Sequence, residues 1–269
     1  PPMKNKILNV IVGQALGVSP AKGTEFIEEI WNRKVKGRST VRSICNAIEN
    51  ERKTYGPYFS DDYKFVKTAL KEGKTEKELA ALFDYIMARN GSDGVSFDTI
   101  LLTGTHTSMP HGVPSDKKIK DGDFVLFDFG ATYQGYHSDM TRTIAIGNIT
   151  DEMKEAYDLV LKAQLAGIKA LKAGEKCADV YQAAYDVLNE KDMGKYFRHS
   201  LGHGVGLDIH EGYNASPKSN DKFEVGNVTS IEPGIYIPDK FGIRIEDLLY
   251  ISPRGRENLS KVTKKLIIL

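Results

Sequence analysis

The chain has 269 residues, 41% of them hydrophobic, with 37 basic against 36 acidic side chains and a formal net charge of +1. That length holds one large domain, or a full domain with a small partner, and the composition is that of an ordinary globular protein. There is no basic excess to suggest nucleic acid and no acidic block to suggest a solvating tail. Cys45 and Cys177 provide neither a CxxC spacing nor a disulfide framework, which fits buried or free thiols in a reducing compartment. The apolar stretch Ile7 to Val12 is too short to span a membrane and lacks a small-residue cleavage pattern. The expectation is a cytoplasmic protein with no nucleic-acid or membrane partner.

Residues 1–57 read as a helical N-terminal segment without visible chemistry. Phe26, Ile27, Ile30 and Trp31 share one helical face, and Val41, Ile44, Cys45 and Ile48 share another. Gly56-Pro57 breaks the chain, and a helix is expected from Asp61 to about Leu70. Thr75 and Glu78 form a capping box ahead of the stripe Leu79, Leu82, Phe83, Ile86 and Met87, which Asn90-Gly91 stops. From Val95 the texture turns to short strands, predicted over Phe97–Leu102, Phe124–Phe129 and Thr141–Ile146. Two helices follow, from Asp151 to about Leu171, opened by Thr150, and from about Ala178 to Asn189. Strands return at Val228–Ile231, Gly234–Ile237 and Ile243–Ile251. Strands, two helices, then strands again predict an α+β layer structure with helices covering one sheet face.

Five acidic or imidazole side chains stand out because each ends an apolar run or lies among glycines. Asp128 closes Phe124-Val-Leu-Phe, and burying its carboxylate there demands a cation or several donors. Asp139 follows a hairpin-prone Tyr133-Gln-Gly-Tyr136 that can set it beside Asp128. Either Asp alone serves equally well as a turn cap. His203 lies between Gly202 and Gly204, which would let backbone approach a ligand, and His210 follows seven residues later. Those glycines do not spell a dinucleotide loop, because GxGxxG is absent. Pro233 keeps Glu232 extended at a strand end, and period-two alternation puts Arg244 and Glu246 on one face. Taken singly, such residues are commonly structural. Four carboxylates with one imidazole suit a pair of hard or borderline divalent ions, and therefore hydrolysis by a metal-activated water.

The segments Met109-Pro-His-Gly-Val113, Ser138-Asp-Met-Thr-Arg-Thr143, Gly202-His-Gly-Val-Gly-Leu-Asp-Ile-His-Glu211, Ile231-Glu-Pro-Gly-Ile-Tyr236 and Gly242-Ile-Arg-Ile-Glu-Asp247 resemble the creatinase and methionine aminopeptidase superfamily, the "pita-bread" metallopeptidases. The similarity is greatest to Xaa-Pro dipeptidases (prolidases) and aminopeptidase P, and runs from about Glu72 to the C-terminus. It implies a curved, mainly antiparallel sheet covered by helices, with residues 58–269 as the catalytic domain behind a short helical extension. It further implies that Asp128 chelates one metal, that His203 and Glu232 bind the other, and that Asp139 and Glu246 bridge the two. Mn(II) or Co(II) is expected first, with Fe(II) and Zn(II) also fitting.

In the same resemblance Glu232 is the proton acceptor, and His111 and His210 steady the substrate. His199 lines the pocket, and Arg244 orients substrate or carboxylates. The implied activity is cleavage of a short peptide after its N-terminal residue, preferably before proline. A methionine or general aminopeptidase is the first alternative, and a non-catalytic peptide-binding relative the second. A homodimer stays open, because the 60 to 70 residues before the match do not align with the N-terminal domain of the family.

Overall fold

The computed structural model describes Leu70 and residues 73–269. The helices expected over residues 1–57, most of the helix from Asp61 to Leu70, and the boundary at residue 57 lie outside the described residues.

The first described helix, α1, spans Glu76–Arg89, and its start is the capping box read from the sequence. The Thr75 hydroxyl accepts the Glu78 amide at 3.2 Å, and the Glu78 carboxylate accepts the Thr75 amide at 2.8 Å. Each satisfies an amide that a helix end would otherwise leave unpaired. Asn90 caps the other end, followed by Gly91 at φ 92°, a value that glycine adopts without strain. The buried face of α1, Leu79 and Ala80, packs with Leu101, Val125 and Ile144.

The strands of the first half are β1 (Gly94–Val95), β2 (Ile100–Thr103), β3 (Phe124–Phe129), β4 (Ala131–Tyr133), β5 (Tyr136–His137) and β6 (Met140–Ala145). β2, β3 and β6 form an antiparallel sheet in that order, with Asp128 opposite Thr141. The chain leaves β3 through the β4–β5 hairpin before returning along β6. Gln134 and Gly135, at φ 50° and 80°, turn that hairpin. The predicted strand over Phe97–Leu102 starts later and ends later, because Ser96 donates its amide to Gly130 and only Ile100 begins the pairing with β3.

Helices α2 (Asp151–Ala170) and α3 (Cys177–Asn189) come next, α2 capped by the Thr150 hydroxyl on the Met153 amide at 3.2 Å. Val160, Ala163, Val180, Ala184 and Leu188 are fully buried against Leu201, Ile231, Ile235, Ile243 and Leu249 of the second half. Each large aliphatic side chain buried in this way contributes on the order of 1.5–3 kcal/mol.

The remaining strands are β7 (His203–Gly204), β8 (Glu211–Asn214), β9 (Val228–Ile231), β10 (Gly234–Ile237), β11 (Phe241–Arg244), β12 (Asp247–Ser252) and β13 (Gly255–Asn258). Five of them form the antiparallel order β13-β12-β9-β7-β8, and β10 pairs with β11. The strand predicted over Ile243–Ile251 is thus two strands. The chain changes partner from β10 to β9 at Ile245-Glu246, where the Glu246 amide bonds Thr141 O at 3.1 Å. That bond, with Thr143 Oγ1 on Arg244 O at 3.0 Å, joins β6 of the first half to the second. Among the described residues no helix is long and apolar enough to cross a membrane.

Candidate metal centre

The seam between the two halves collects the predicted acids. Asp128 near the end of β3, Asp139 just ahead of β6, and Glu246 between β11 and β12 are all buried. Glu232 follows β9 directly, held by its amide on Leu201 O at 2.7 Å, and His203 comes from β7. Candidate ligand atoms of Asp139, His203 and Glu246 lie within 4.8 Å of one another. His203 Nε2 is 3.4 Å from Asp139 Oδ2 and 3.3 Å from Glu232 Oε1, so it links those two acids. Its other nitrogen, Nδ1, lies 3.1 Å from Gly204 O, a contact that holds the ring with Nε2 toward the acids.

The glycines around His203 have a packing role in the sheet. A Cβ on Gly202 would collide with the Ser230 carbonyl, and one on Gly204 with the Glu211 carbonyl. These glycines let neighbouring strands close on β7.

Arg244 is the hub of the site. Its guanidinium donates to Asp128 Oδ2 at 2.6 Å, Tyr236 Oη at 2.7 Å, Pro110 O at 3.1 Å and Thr141 Oγ1 at 3.1 Å. Thr141 in turn donates to Glu246 Oε2 at 2.7 Å. His199 Nε2 lies 2.8 Å from Tyr236 Oη, and its Nδ1 2.7 Å from Ser200 O. The His210 ring sits 4.2 Å from that of His203. His111 is exposed on the loop after a 3-10 turn, Gly104–Ser108, and is close enough to His199 and His210 to act on both electrostatically. Every predicted site residue therefore lies at this seam. Tyr236 and Thr141 were inside the quoted motifs without a role, and only their hydrogen bonds show one.

The electrostatics follow from burying four carboxylates together. Burial raises Asp128, and the Arg244 guanidinium opposes it. Burial raises Asp139 to about 7 despite the hydrogen bond from His203. Glu246 is driven well above the carboxylate range by burial and then by Asp139, Glu232 and Asp128. Burial also acts against ionised Glu232, yet the His203 hydrogen bond and charge bring it down to about 2. Burial disfavours the His203 imidazolium, but Asp139 and Glu232 lift it to about 11. Burial first, then Arg244, lowers His199 to about 4 against the pull of Glu232, and burial with His203 lowers His210. Such a cluster ionises fully only when further positive charge enters it.

The donor set fits divalent cations on two counts. Asp128 Oδ1 and Glu246 Oε1 are buried without a hydrogen-bond partner, although buried carboxylate oxygens are ordinarily satisfied. The available donors are carboxylate oxygens with one oriented imidazole, the set that borderline and hard divalent ions take.

An antiparallel sheet covered by helices, with an acid-rich cage at the meeting of its two halves, defines the pita-bread class of metallopeptidase. The chain belongs to metallopeptidase family M24, whose model matches residues 63–253. A second family model, the CRISPR-associated endonuclease Cas9 alpha-helical lobe, matches residues 1–86, most of them outside the described residues. The chain is 44% identical over 263 residues to the Xaa-Pro dipeptidase of Pyrococcus horikoshii, covering 94% of itself and 75% of that relative. Among solved structures it is similar to the X-Pro aminopeptidase of Thermotoga maritima, with a TM-score of 0.75, 40% identity and coverage of 78% of this chain and 60% of that one. For the prolidase of Pyrococcus furiosus the TM-score is 0.71, with 42% identity and coverage of 76% and 61%. The chain thus spans about 60% of the length of these solved relatives.

Proposed function

We propose that the chain is a dinuclear, metal-dependent exopeptidase that hydrolyses the bond after an N-terminal residue, with Xaa-Pro peptides preferred. The observation that carries this reading is the pair of buried, unpartnered oxygens, Asp128 Oδ1 and Glu246 Oε1, on acids that face Glu232, with ligand atoms of Asp139, His203 and Glu246 within 4.8 Å of one another. Asp128 would hold one ion, His203 with Glu232 the other, and Asp139 with Glu246 would be shared, with Mn(II) or Co(II) first and Fe(II) or Zn(II) also suited. When bound, such a pair supplies a Lewis acid and a water acidic enough to attack a carbonyl at neutral pH.

The protein groups do the remaining work. Glu232 accepts the proton of the attacking water and returns it to the departing nitrogen. That return matters for proline, whose tertiary amide nitrogen carries no proton of its own. His199, neutral at physiological pH, and Arg244 jointly fix the Tyr236 hydroxyl. Arg244 also orients Asp128, and Thr141 orients Glu246. His111 and His210, both exposed on loops, are placed to steady the peptide carbonyl and the charge that develops on it.

The deciding experiment strips the protein of metal and restores Mn(II) or Co(II). Hydrolysis of Xaa-Pro dipeptides, longer Xaa-Pro peptides and Met-Ala peptides is then compared. Metal-dependent cleavage of an Xaa-Pro substrate is expected. Silence on every substrate would remove the enzyme reading, and cleavage of Met-Ala alone would move the specificity to the methionine branch.

A further inference from the structure

Away from the cage, Glu76 is a fully buried carboxylate in the first turn of α1. Its side-chain oxygens accept the Thr103 amide at 2.7 Å, the Ser115 amide at 2.8 Å and the Ser115 hydroxyl at 2.6 Å, and one lies 2.8 Å from His106 Nδ1. The backbone joins in, with the Glu76 amide on Lys117 O at 3.0 Å and the Lys77 amide on Ser115 O at 3.1 Å. All these side-chain partners belong to one segment, residues 103–115. That segment carries Pro110, whose carbonyl takes a hydrogen bond from Arg244, and His111.

A carboxylate buried at this depth costs several kcal/mol unless its lone pairs are answered, and an apolar residue would fill a helix's first turn more cheaply. Here both feet of the loop answer it, Thr103 at one end and Ser115 at the other. Midway, Thr107 Oγ1 accepts the Gly242 amide at 2.7 Å. The loop is therefore anchored at both ends and at its centre, while His111 itself projects exposed. A shift of either foot displaces His111 relative to the cage, and errors of about 1 Å in such groups can lower rates by about a hundredfold.

We propose that Glu76 is the positioning residue of the His111 loop, setting where His111 meets the substrate. This rests on the peptidase reading above. Glu76→Gln keeps the size and the acceptor facing Thr103 but turns an amide donor toward the Ser115 amide. It is expected to lower kcat/KM on an Xaa-Pro dipeptide about ten- to hundredfold, mainly through kcat, with bound metal unchanged. Ser115→Ala, which removes only a hydroxyl, serves as the gentler variant, with a smaller loss in the same direction.

The test is a pair of double-mutant cycles, Glu76→Gln and Ser115→Ala each combined with His111→Ala, using the whole 269-residue chain at a temperature where all variants are folded by circular dichroism. If Glu76 acts through His111, the Glu76→Gln effect shrinks to about twofold or less in the His111→Ala background. Additive losses in both cycles would mean general destabilisation and overturn the proposal. A second readout needs no activity: the imidazole NMR signals of the metal-free protein, with His111 assigned by its absence in His111→Ala. The His111 signal is expected to move or broaden in Glu76→Gln while that of His199 stays. An unmoved His111 signal overturns the proposal even where the native protein cleaves peptides. Failure of the native protein on every peptide would instead defeat the catalytic reading and leave the NMR result to judge the positioning role.

Discussion

Glu246 and Asp247 are consecutive acids, both essentially removed from solvent, and their surroundings are opposite. Glu246 faces the cage, takes one hydrogen bond from Thr141, and leaves Oε1 without a partner. Asp247, on the other side of the extended chain, is answered in full. It receives Arg142 at 2.8 Å, Lys264 at 2.6 Å, Asn258 at 2.6 Å and Gln164 at 3.1 Å. Burial raises both carboxyls, but Arg142 and Lys264 bring Asp247 below the ordinary range, while neighbouring acids push Glu246 higher still. One acid is matched by the protein's own cations and serves stability. The other pairs with no cationic side chain among the described residues and suits a cation from solution.

This contrast can be broken by experiment, beginning with the largest effect. Glu246→Gln should lower metal-restored hydrolysis by about a thousandfold or more and reduce bound metal, while the metal-free fold keeps or gains thermal stability. Elemental analysis and melting curves decide it; a large loss of metal-free stability would place Glu246 with Asp247.

Asp247→Ala should do the reverse. It leaves Arg142 and Lys264 without their acid, and urea unfolding should show a loss of about 3–5 kcal/mol. Activity per folded molecule should fall by less than about tenfold. Unchanged stability would mean that the network contributes nothing.

A smaller effect is expected from pH. Asp139 is raised to about 7, so the native metal-free state holds its proton more tightly than the unfolded chain does. Its contribution is greatest in acid and is lost as pH rises toward about 7. Asp247 is lowered, so its contribution is present above the ordinary carboxylate range and lost as pH falls through its folded value. Metal-free melting temperatures between pH 5 and 7.5 should thus decline less steeply in Asp139→Asn than in the native protein. Metal addition over the same range should release protons, detectable in weakly buffered solution. Parallel slopes would refute the assignment. The smallest effect belongs to an exposed acid, Glu190, 2.5 Å from Lys162: Lys162→Ala should change stability by less than about 1 kcal/mol.

Several elements could be read from local order. The capping box at Thr75, the apolar run of β3, and helices α2 and α3 appear where periodicity and capping residues put them, to within a residue or two. The break between β11 and β12 could not be read, because Ile243–Ile251 carries no glycine or proline and the exchange of strand partners at Glu246 depends on Thr141, more than a hundred residues earlier. The five candidate ligands were legible from local patterns: Asp128 closes an apolar run, Asp139 follows a hairpin-prone turn, His203 is flanked by glycines, Glu232 precedes a proline, and Glu246 alternates with Arg244. Glu76 was not, since an acid in a helix's first turn ordinarily faces solvent, and the neighbouring capping box drew attention to Glu78.

Local chemistry, then, was enough to specify the residue types of the cage and the elements that carry them: strand-ending acids, a glycine-flanked histidine and a proline-stiffened glutamate are short-range patterns. Which oxygens are left without partners was settled only by the tertiary structure. Glu246 and Asp247 are adjacent acids of similar character in the chain. Alternation along an extended backbone turns one toward three other carboxylates and the next toward Arg142 and Lys264, and long-range packing alone decides which charges meet.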